Sequence, residues 1–341
     1  MGIDLLFLLP VLLLFPALKN TDIENQAYIS ADTGLRMRGL AAATVVIHHL
    51  SQRVESGYLR YFFWFIGVFP VSVFLFYAGY GFMKRCCTDQ NYGKGYLRRR
   101  LIPVLVPYLF LYPVYYLIGV IEGPPYTVSQ FAEGIVSGDP VLLFTWYVIL
   151  IIFWYLWCAA MIRICGQDQK KLITGGILFV VIWCVVCSVL SYGIWWYNTA
   201  HILVMGMLWY SYEDKILNLI REKRNLVMTV SGICLALTYA TPYLFRFQYP
   251  VFFVSTVSFI ILMNCILMKY IPSNAAAGFL GKTAYELYLI HGALITLLRG
   301  TGIYIENDSL FAAMVIFISV PLAFVFHQCF EKLLERKNRT S

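Results

Sequence analysis

Charge is scarce in this chain. Only 13% of its 341 residues are Asp, Glu, Lys or Arg, roughly half the share in an ordinary soluble domain. Hydrophobic residues make up 60%. Too little polar surface remains to coat a core of this size, so an ordinary soluble fold is excluded and lipid is the expected solvent. There is no P-loop, no GxSxG, no HExxH and no Cys/His spacing suited to zinc, so no metal site is expected. The nine cysteines form no disulfide framework. Cys184 and Cys187 make a CxxC, but inside the apolar run Val180–Leu190, where they read as packing residues. No loop is long enough for a separate domain, and internal repeats and low-complexity segments are absent. The apolar N-terminus, Met1–Leu18, lacks the basic residues that precede a cleaved signal core and carries Asp4, Pro10 and Pro16. It reads as a retained short span, with a membrane-surface helix as the alternative.

What the chain does have is a series of apolar runs, near 3–18, 37–50, 61–83, 101–121, 142–162, 172–191, 199–212, 225–243, 251–269, 283–298 and 310–330. A helix needs about 20 residues to cross the hydrocarbon, so the shorter runs are expected to be tilted, broken or extended by polar residues facing the bundle interior. Aromatic residues, 17% of the chain, gather near the ends of these runs, where amphipathic rings favour the headgroup region. The formal charge of +8 does not read as a nucleic-acid surface, because the basic residues fall between the apolar runs. Alternate connections and the tail hold 22 Lys and Arg, and the opposite side holds 4: Arg53, Arg60, Arg246 and Arg299. The positive-inside rule puts the rich side and the C-terminus in the cytoplasm and the N-terminus outside. The long connection Glu122–Pro140, acidic and without Lys or Arg, is expected outside.

Ionisable residues inside spans are expensive and each is a functional candidate. Arg38 and His49 lie 11 residues apart, so on a helix they differ by about 20° in direction and about 16 Å along the axis. His48 points about 80° away. Arg38 is suited to an anionic group and His49 to proton exchange. The bland alternative is an arginine reaching the headgroups and a histidine bonded to a backbone carbonyl. His291 shares a helix face with Tyr288, and Glu286 lies in the same span and needs a partner there. His201 and His327 stand alone and read as structural. The basic connection Lys84–Arg100, with Arg98, Arg99 and Arg100, reads either as a phosphate-attracting surface or as a plain topology and headgroup anchor.

Several stretches together resemble the acyltransferase-3 family of integral membrane acyltransferases. Arg38–Leu50, "RGLAAATVVIHHL", matches its arginine and histidine separated by ten residues. Phe69–Arg85, "FPVSVFLFYAGYGFMKR", is similar to its Ser-Gly-Tyr helix, with Ala78 in place of serine. Tyr96–Phe110, "YLRRRLIPVLVPYLF", resembles the basic, proline-containing start of its third helix, with Leu97 where an arginine is frequent. Thr145–Trp157, "TWYVILIIFWYLW", and His201–Ile216, "HILVMGMLWYSYEDKI", resemble two further helices. Gly281–Gly292, "GKTAYELYLIHG", is similar to the late Tyr-Leu-x-His motif, with Ala284 where serine is common.

The resemblance implies an all-α integral membrane fold, a ten-transmembrane-helix core bundle plus one short N-terminal helix. It divides the chain into an N-terminal apolar helix and cytoplasmic connector over 1–35, a transmembrane acyltransferase domain over 36–335 and a cytoplasmic tail over 336–341. It implies a multi-pass protein of the plasma membrane that moves an acyl group, acetyl in the first instance, from cytoplasmic acyl-CoA to a hydroxyl of a glycan or glycolipid. Acyl-CoA is then a substrate, and no bound cofactor is expected. His49 would be the essential residue with Arg38 as its anion or oxyanion partner, and His291, Glu286, Tyr288, Arg98, Arg99 and Arg100 would be candidates for substrate or donor binding. A covalent acyl-histidine and direct general-base transfer both stay open. The competing reading is a transporter of an acylated or anionic small molecule, with the same ionisable residues lining its path. That reading predicts flux without CoA.

Overall fold

The structure, a computed structural model, describes residues 2–14, 18–20, 26–244 and 248–339. The apolar N-terminus breaks at Leu8 into α1 (Gly2–Phe7) and α2 (Leu9–Leu14). Together they rise about 20 Å, short of the roughly 30 Å of hydrocarbon. The described part of the expected 3–18 span is therefore a short apolar element, and residues 15–17 lie outside the described residues. Asp4 fixes α1 by accepting a hydrogen bond from the Leu59 amide at 2.9 Å. Strand β1 (Leu18–Asn20) pairs antiparallel with β2 (Tyr270–Pro272), Leu18 opposite Pro272.

Helix α3 (Ala31–Ser51) begins six residues before the apolar run that announced it. Ser30 caps it, its hydroxyl accepting from the Thr33 amide at 3.1 Å, and this satisfies one of the orphan donors of the first turn. Helix α4 (Leu59–Phe63) runs on into α5 (Val68–Thr88). Short α6 (Tyr96–Arg100) carries the three consecutive arginines into α7 (Ile102–Glu122), which keeps Pro107 and Pro113 inside, as membrane helices tolerate. The connection 122–140, expected as a loop, contains α8 (Val128–Ser137), because Thr127 and Gln130 form a capping box at its start. Helices α9 (Trp146–Cys165) and α10 (Gln169–Val189) follow, the latter capped by Asp168 through the amides of Lys170 and Lys171. Cys184 and Cys187 lie in α10.

Helix α11 (His201–Ser211) leads to α12 (Glu213–Leu244), which is longer than the expected 225–243. The charged stretch 213–224, expected as a connection, is mostly helical. Glu213 and Asp214 sit in its first turn, where the helix dipole favours them, and the helix breaks regular geometry at Lys223. Helices α13 (Tyr249–Leu267), α14 (Ala275–Lys282), α15 (Ala284–Leu298) and α16 (Asp308–Arg339) complete the chain.

The fold is all-α apart from one two-stranded sheet among the described residues. Six stretches in it are long and apolar enough to cross a membrane: Leu59–Thr88, Ile102–Glu122, Trp146–Cys165, Gln169–Val189, Tyr249–Leu267 and Asp308–Leu333. The expected ten-helix core is wider than this set for physical reasons. Helix α3 carries Asp32, Arg36 and Arg38, α12 begins with a charged segment, and α11 and α15 have only 11 and 15 residues. The outer helices turn apolar residues outward. In α10 only 33% of the apolar window is buried, and Ile177, Leu178, Val181, Ile182, Val185 and Val186 are exposed. Such a belt is stable against lipid and not against water, so this is a membrane protein.

The interior is built around α3, which packs on α5, α14 and α15, while α5 packs on α11. Two crossings bring backbones into contact. A Cβ at Gly39 would lie 2.0 Å from the Ala277 carbonyl oxygen, and one at Gly281 2.0 Å from that of Leu35. Between α5 and α11, a Cβ at Gly79 would lie 1.9 Å from the Leu203 oxygen and one at Gly206 2.3 Å from the Phe76 oxygen. Small residues at such crossings let helices approach where apolar burial alone gives no drive. Gly79→Ala and Gly206→Ala are each expected to destabilise the fold by about 1–3 kcal/mol. The double variant should lose less than the sum, because one separation of the helices relieves both clashes. Thermal unfolding in detergent measures both.

Candidate functional site

The C-terminal end of α3 meets the middle of α15, and there His49 and His291 face one another. His49 Nδ1 lies 2.7 Å from His291 Nε2, the two rings are coplanar within 2°, and both side chains are buried. The second nitrogen of His291, Nδ1, lies 3.0 Å from the Leu287 carbonyl oxygen one turn earlier. A carbonyl only accepts, so His291 Nδ1 carries the proton. In the neutral ring Nε2 is then the acceptor, and His49 Nδ1 donates to it. This assignment leaves the lone pair of a neutral His49 on Nε2, and no described residue hydrogen-bonds that atom. His48 points elsewhere, its Nδ1 donating to the Phe63 carbonyl at 2.9 Å.

A third ring lies parallel to the two imidazoles. Phe144 stacks on His49 with centroids 3.5 Å apart and planes within 6°, and lies 5.7 Å from His291 at 4°. The Phe144 carbonyl accepts the hydroxyl of Tyr288, whose ring is 5.9 Å from His291. Tyr288 therefore joins the histidine pair to a cavity on its other side.

That cavity, of about 350 Å³, runs between α3, α5, α6, α7, α9, α14, α15 and α16. Arg38, Arg100 and Lys282 bring three positive charges to it, against the single carboxylate of Glu286. Tyr77, Tyr147, Tyr155, Tyr285 and Tyr288 form much of the wall. Arg38 is anchored through Nε, which donates to the Gly34 carbonyl at 3.2 Å. Arg100 Nε donates to the Tyr92 hydroxyl at 3.3 Å. Tyr285 is fixed by its bond to the Val104 carbonyl at 2.7 Å. The cavity is thus a cationic, tyrosine-lined recess, suited to an anionic ligand with an extended less polar part.

The residues singled out in the sequence divide into three groups. Arg38, Arg100, Glu286 and Tyr288 line this cavity, and His49 and His291 form the buried pair beyond Tyr288. Arg98 instead lines a separate recess with Lys94 and Arg163. Arg99 turns back onto its own loop, donating to the carbonyls of Lys94 and Tyr92. Three arginines in a row on a short helix point in three directions, at about 100° per residue.

One reading is corrected. His327, expected to stand alone, lines the cavity from α16 and places Nδ1 3.1 Å from Glu286 Oε1. Glu286 thereby has the partner its burial requires. The two lie 41 residues apart, so no local spacing linked them. The available signal was that an in-span carboxylate and an in-span imidazole each lacked a partner. Phe144, Tyr147, Tyr155 and Lys282 were missed as well. His201 is engaged away from the cavity, with Thr256 Oγ1 at 2.9 Å and the Tyr249 hydroxyl at 3.2 Å.

Comparison with known proteins adds one finding. Residues 36–328 match the profile of a family described as an acyltransferase domain. No curated protein and no solved structure gives a significant match.

The Glu286–His327 contact crosses from α15 to α16, so it is expected to couple their stabilities. A double-mutant cycle of Glu286→Gln and His327→Gln, followed by thermal unfolding, should return a coupling of about 0.5–3 kcal/mol. Strict additivity would mean that the pair does not interact.

Proposed function

We propose a function from one premise: the chain belongs to the acyltransferase-3 family. It is a membrane acyltransferase, and the reading offered here is transfer of an acyl group, acetyl in the first instance, from acyl-CoA to a hydroxyl of a glycan or glycolipid. The hydrogen-bond chain from the Leu287 carbonyl through His291 to His49 carries this reading.

A sugar hydroxyl is a poor nucleophile because its pKa is far above neutrality. A buried neutral imidazole aimed at it can take its proton as the oxygen attacks the thioester carbon. His49 Nε2 is the lone pair for that task. His291 fixes the tautomer and the plane of His49, much as an orienting partner does in other base-assisted acyl transfers. When the proton arrives on Nε2, the positive charge on His49 is shared across its bond to His291 Nε2. The attack breaks the C–S bond, and the departing CoA thiolate recovers the proton from His49. Direct transfer is the reading taken, with the Nε2 lone pair acting as a base; the same lone pair would be the nucleophile of an acyl-histidine route.

Arg38 takes a different part from the oxyanion role that its pairing with His49 first suggested. It sits about 16 Å down the helix axis, and arginine side chains on helices lean toward the N-terminus, away from His49. Its proposed part is to hold a phosphate of the donor, a reading supported by Arg100 and Lys282 around the same cavity. The pantetheine arm of CoA is an extended chain of comparable length, so phosphates held at Arg38 leave the thioester near Tyr288 and the histidine pair. The cavity end of the bundle is then cytoplasmic, with the C-terminus inside and the N-terminus outside. The protein acts in the plasma membrane, with a ten-helix core in which α3, α11, α12 and α15 complete the six long spans.

Purified wild-type protein is expected to transfer acetyl from acetyl-CoA, and His49→Ala to lose about 10²–10⁴ of that rate. His291→Phe should lower kcat by less and leave the KM for acetyl-CoA within about twofold. Full activity in His49→Ala would end this reading. A reporter that matures only in the cytoplasm, fused after Ser341, is expected to be active, and a silent reporter would reverse the orientation.

A further inference from the structure

We infer that Phe144 decides between acceptor hydroxyl and water at the histidine pair, by covering one face of His49 and narrowing the approach to its in-plane Nε2 lone pair. This rests on the acyl-transfer reading. Phe144 has φ +65°, and only one other non-glycine residue in the described structure, Ser191, has a positive φ. That region is disfavoured for a bulky side chain and persists only where the surroundings over-determine it.

The surroundings here do so from two helices. On α15, the Tyr288 hydroxyl donates to the Phe144 carbonyl, and Gly292 leaves room for the Leu143 carbonyl, which a Cβ there would meet at 3.1 Å. On α7, the Tyr115 hydroxyl accepts from the Leu143 amide at 3.2 Å. Within the segment, Thr145 Oγ1 donates to the Leu142 carbonyl at 2.7 Å. These contacts hold the backbone in a disfavoured state, and the outcome is one aromatic ring stacked on both imidazoles. Simple core filling would not need the strained conformation.

The chemistry supplies the reason for such a ring. In transfer, the acceptor O–H bond breaks, its proton goes to His49, its oxygen bonds to the acyl carbon and the C–S bond breaks. The products are the acylated acceptor and CoA thiol. Water can replace the acceptor atom for atom, and the products are then the free acid and CoA thiol. A base that activates a hydroxyl activates water equally well, so the partition is set by which molecule reaches Nε2. Phe144 lies just before α9, at the end of the bundle away from the Lys84–Arg100 connection, and covers one face of the base with an apolar ring.

Two readouts test this on the full-length protein in detergent. The first uses diethyl pyrocarbonate, which modifies an accessible imidazole lone pair, with fragment-level mass spectrometry to separate His48 from His49 and His201 as the internal control. Phe144→Ala and Phe144→Gly should raise the labelling rate of His49 by on the order of tenfold and leave His201 unchanged. The glycine variant also relieves the positive φ, so it keeps the test open if the alanine variant folds poorly. The second uses radiolabelled acetyl-CoA with membranes bearing the protein, comparing free acetate with acetyl fixed in glycan and glycolipid. The ratio of acetate to fixed acetyl should rise about tenfold in both variants and return toward wild type in Phe144→Trp. Unchanged labelling of His49 in a folded Phe144→Gly protein would overturn this role. Equal loss of hydrolysis and transfer, with the ratio unmoved, would reduce Phe144 to a packing residue. A wild-type protein that neither transfers nor hydrolyses acetyl-CoA would remove the acyl-transfer reading and the selectivity with it, while the labelling still decides whether the ring narrows the approach to Nε2.

Discussion

Everything at the centre of this molecule depends on the requirement that polar groups in an apolar bundle be paired. The bond from His49 to His291 is where that requirement and the proposed chemistry coincide. Each imidazole alone would be a poorly solvated group among alanines, valines and leucines. Joined to each other and to the Leu287 carbonyl, they form a satisfied chain of which only one nitrogen is left over. The same constraint sets the lateral position of α15 against α3, since coplanar rings at 2.7 Å tolerate little sliding. The close glycine crossings of α3 with α14 and of α5 with α11 make that approach sterically accessible.

The remaining charges obey the same rule at lower stringency. Glu286 is buried on α15 and finds His327 on α16. Arg299 and Asp308 pair at 2.5 Å at the other end of the bundle, and Asp308 also accepts the amides of Glu55 and Ser56. Three helical connections are thereby fixed by contacts among a handful of ionisable residues, in a chain that has few to use. The cations of the cavity are the exception. Arg38 spends one nitrogen on its own helix and Arg100 one on a tyrosine hydroxyl. In a membrane interior such unneutralised positive charge indicates an anionic ligand more strongly than it would on a soluble surface.

Membrane character was legible in composition, and the helical run positions were legible in hydropathy. The site was legible only where both partners lay on one helix or where a motif marked them. Arg38 and His49 share α3, and their common face follows from their spacing. His291 and Tyr288 likewise share α15. That His49 and His291 touch was not readable, because their 242-residue separation carries no local signature. His327 and Phe144 were missed for the same reason, one as an isolated histidine and the other as one phenylalanine among 25. The extra helix over 213–222 was missed for a different reason. Its charges look like a loop to a hydropathy window, and only their order, acidic first and basic later, agrees with a helix dipole.

Helix α3 imposes the last constraint. Because it is continuous from Ala31 to Ser51, the distance between Arg38 and His49 is set by helix rise and cannot be shortened without breaking the helix. Any ligand that engages both must be elongated, with its anionic part at one end and its reactive part at the other. A compact anionic solute meets only one of the two, which weighs against the transporter reading, where a single bound species would be expected to gather the ionisable residues around itself. The donor of the proposed reaction, with phosphates at one end and a thioester at the other, would use both ends of the same rigid rod. On the proposed reading, the separation that sets Arg38 apart from the reacting carbonyl is the feature that suits it to the far end of the donor.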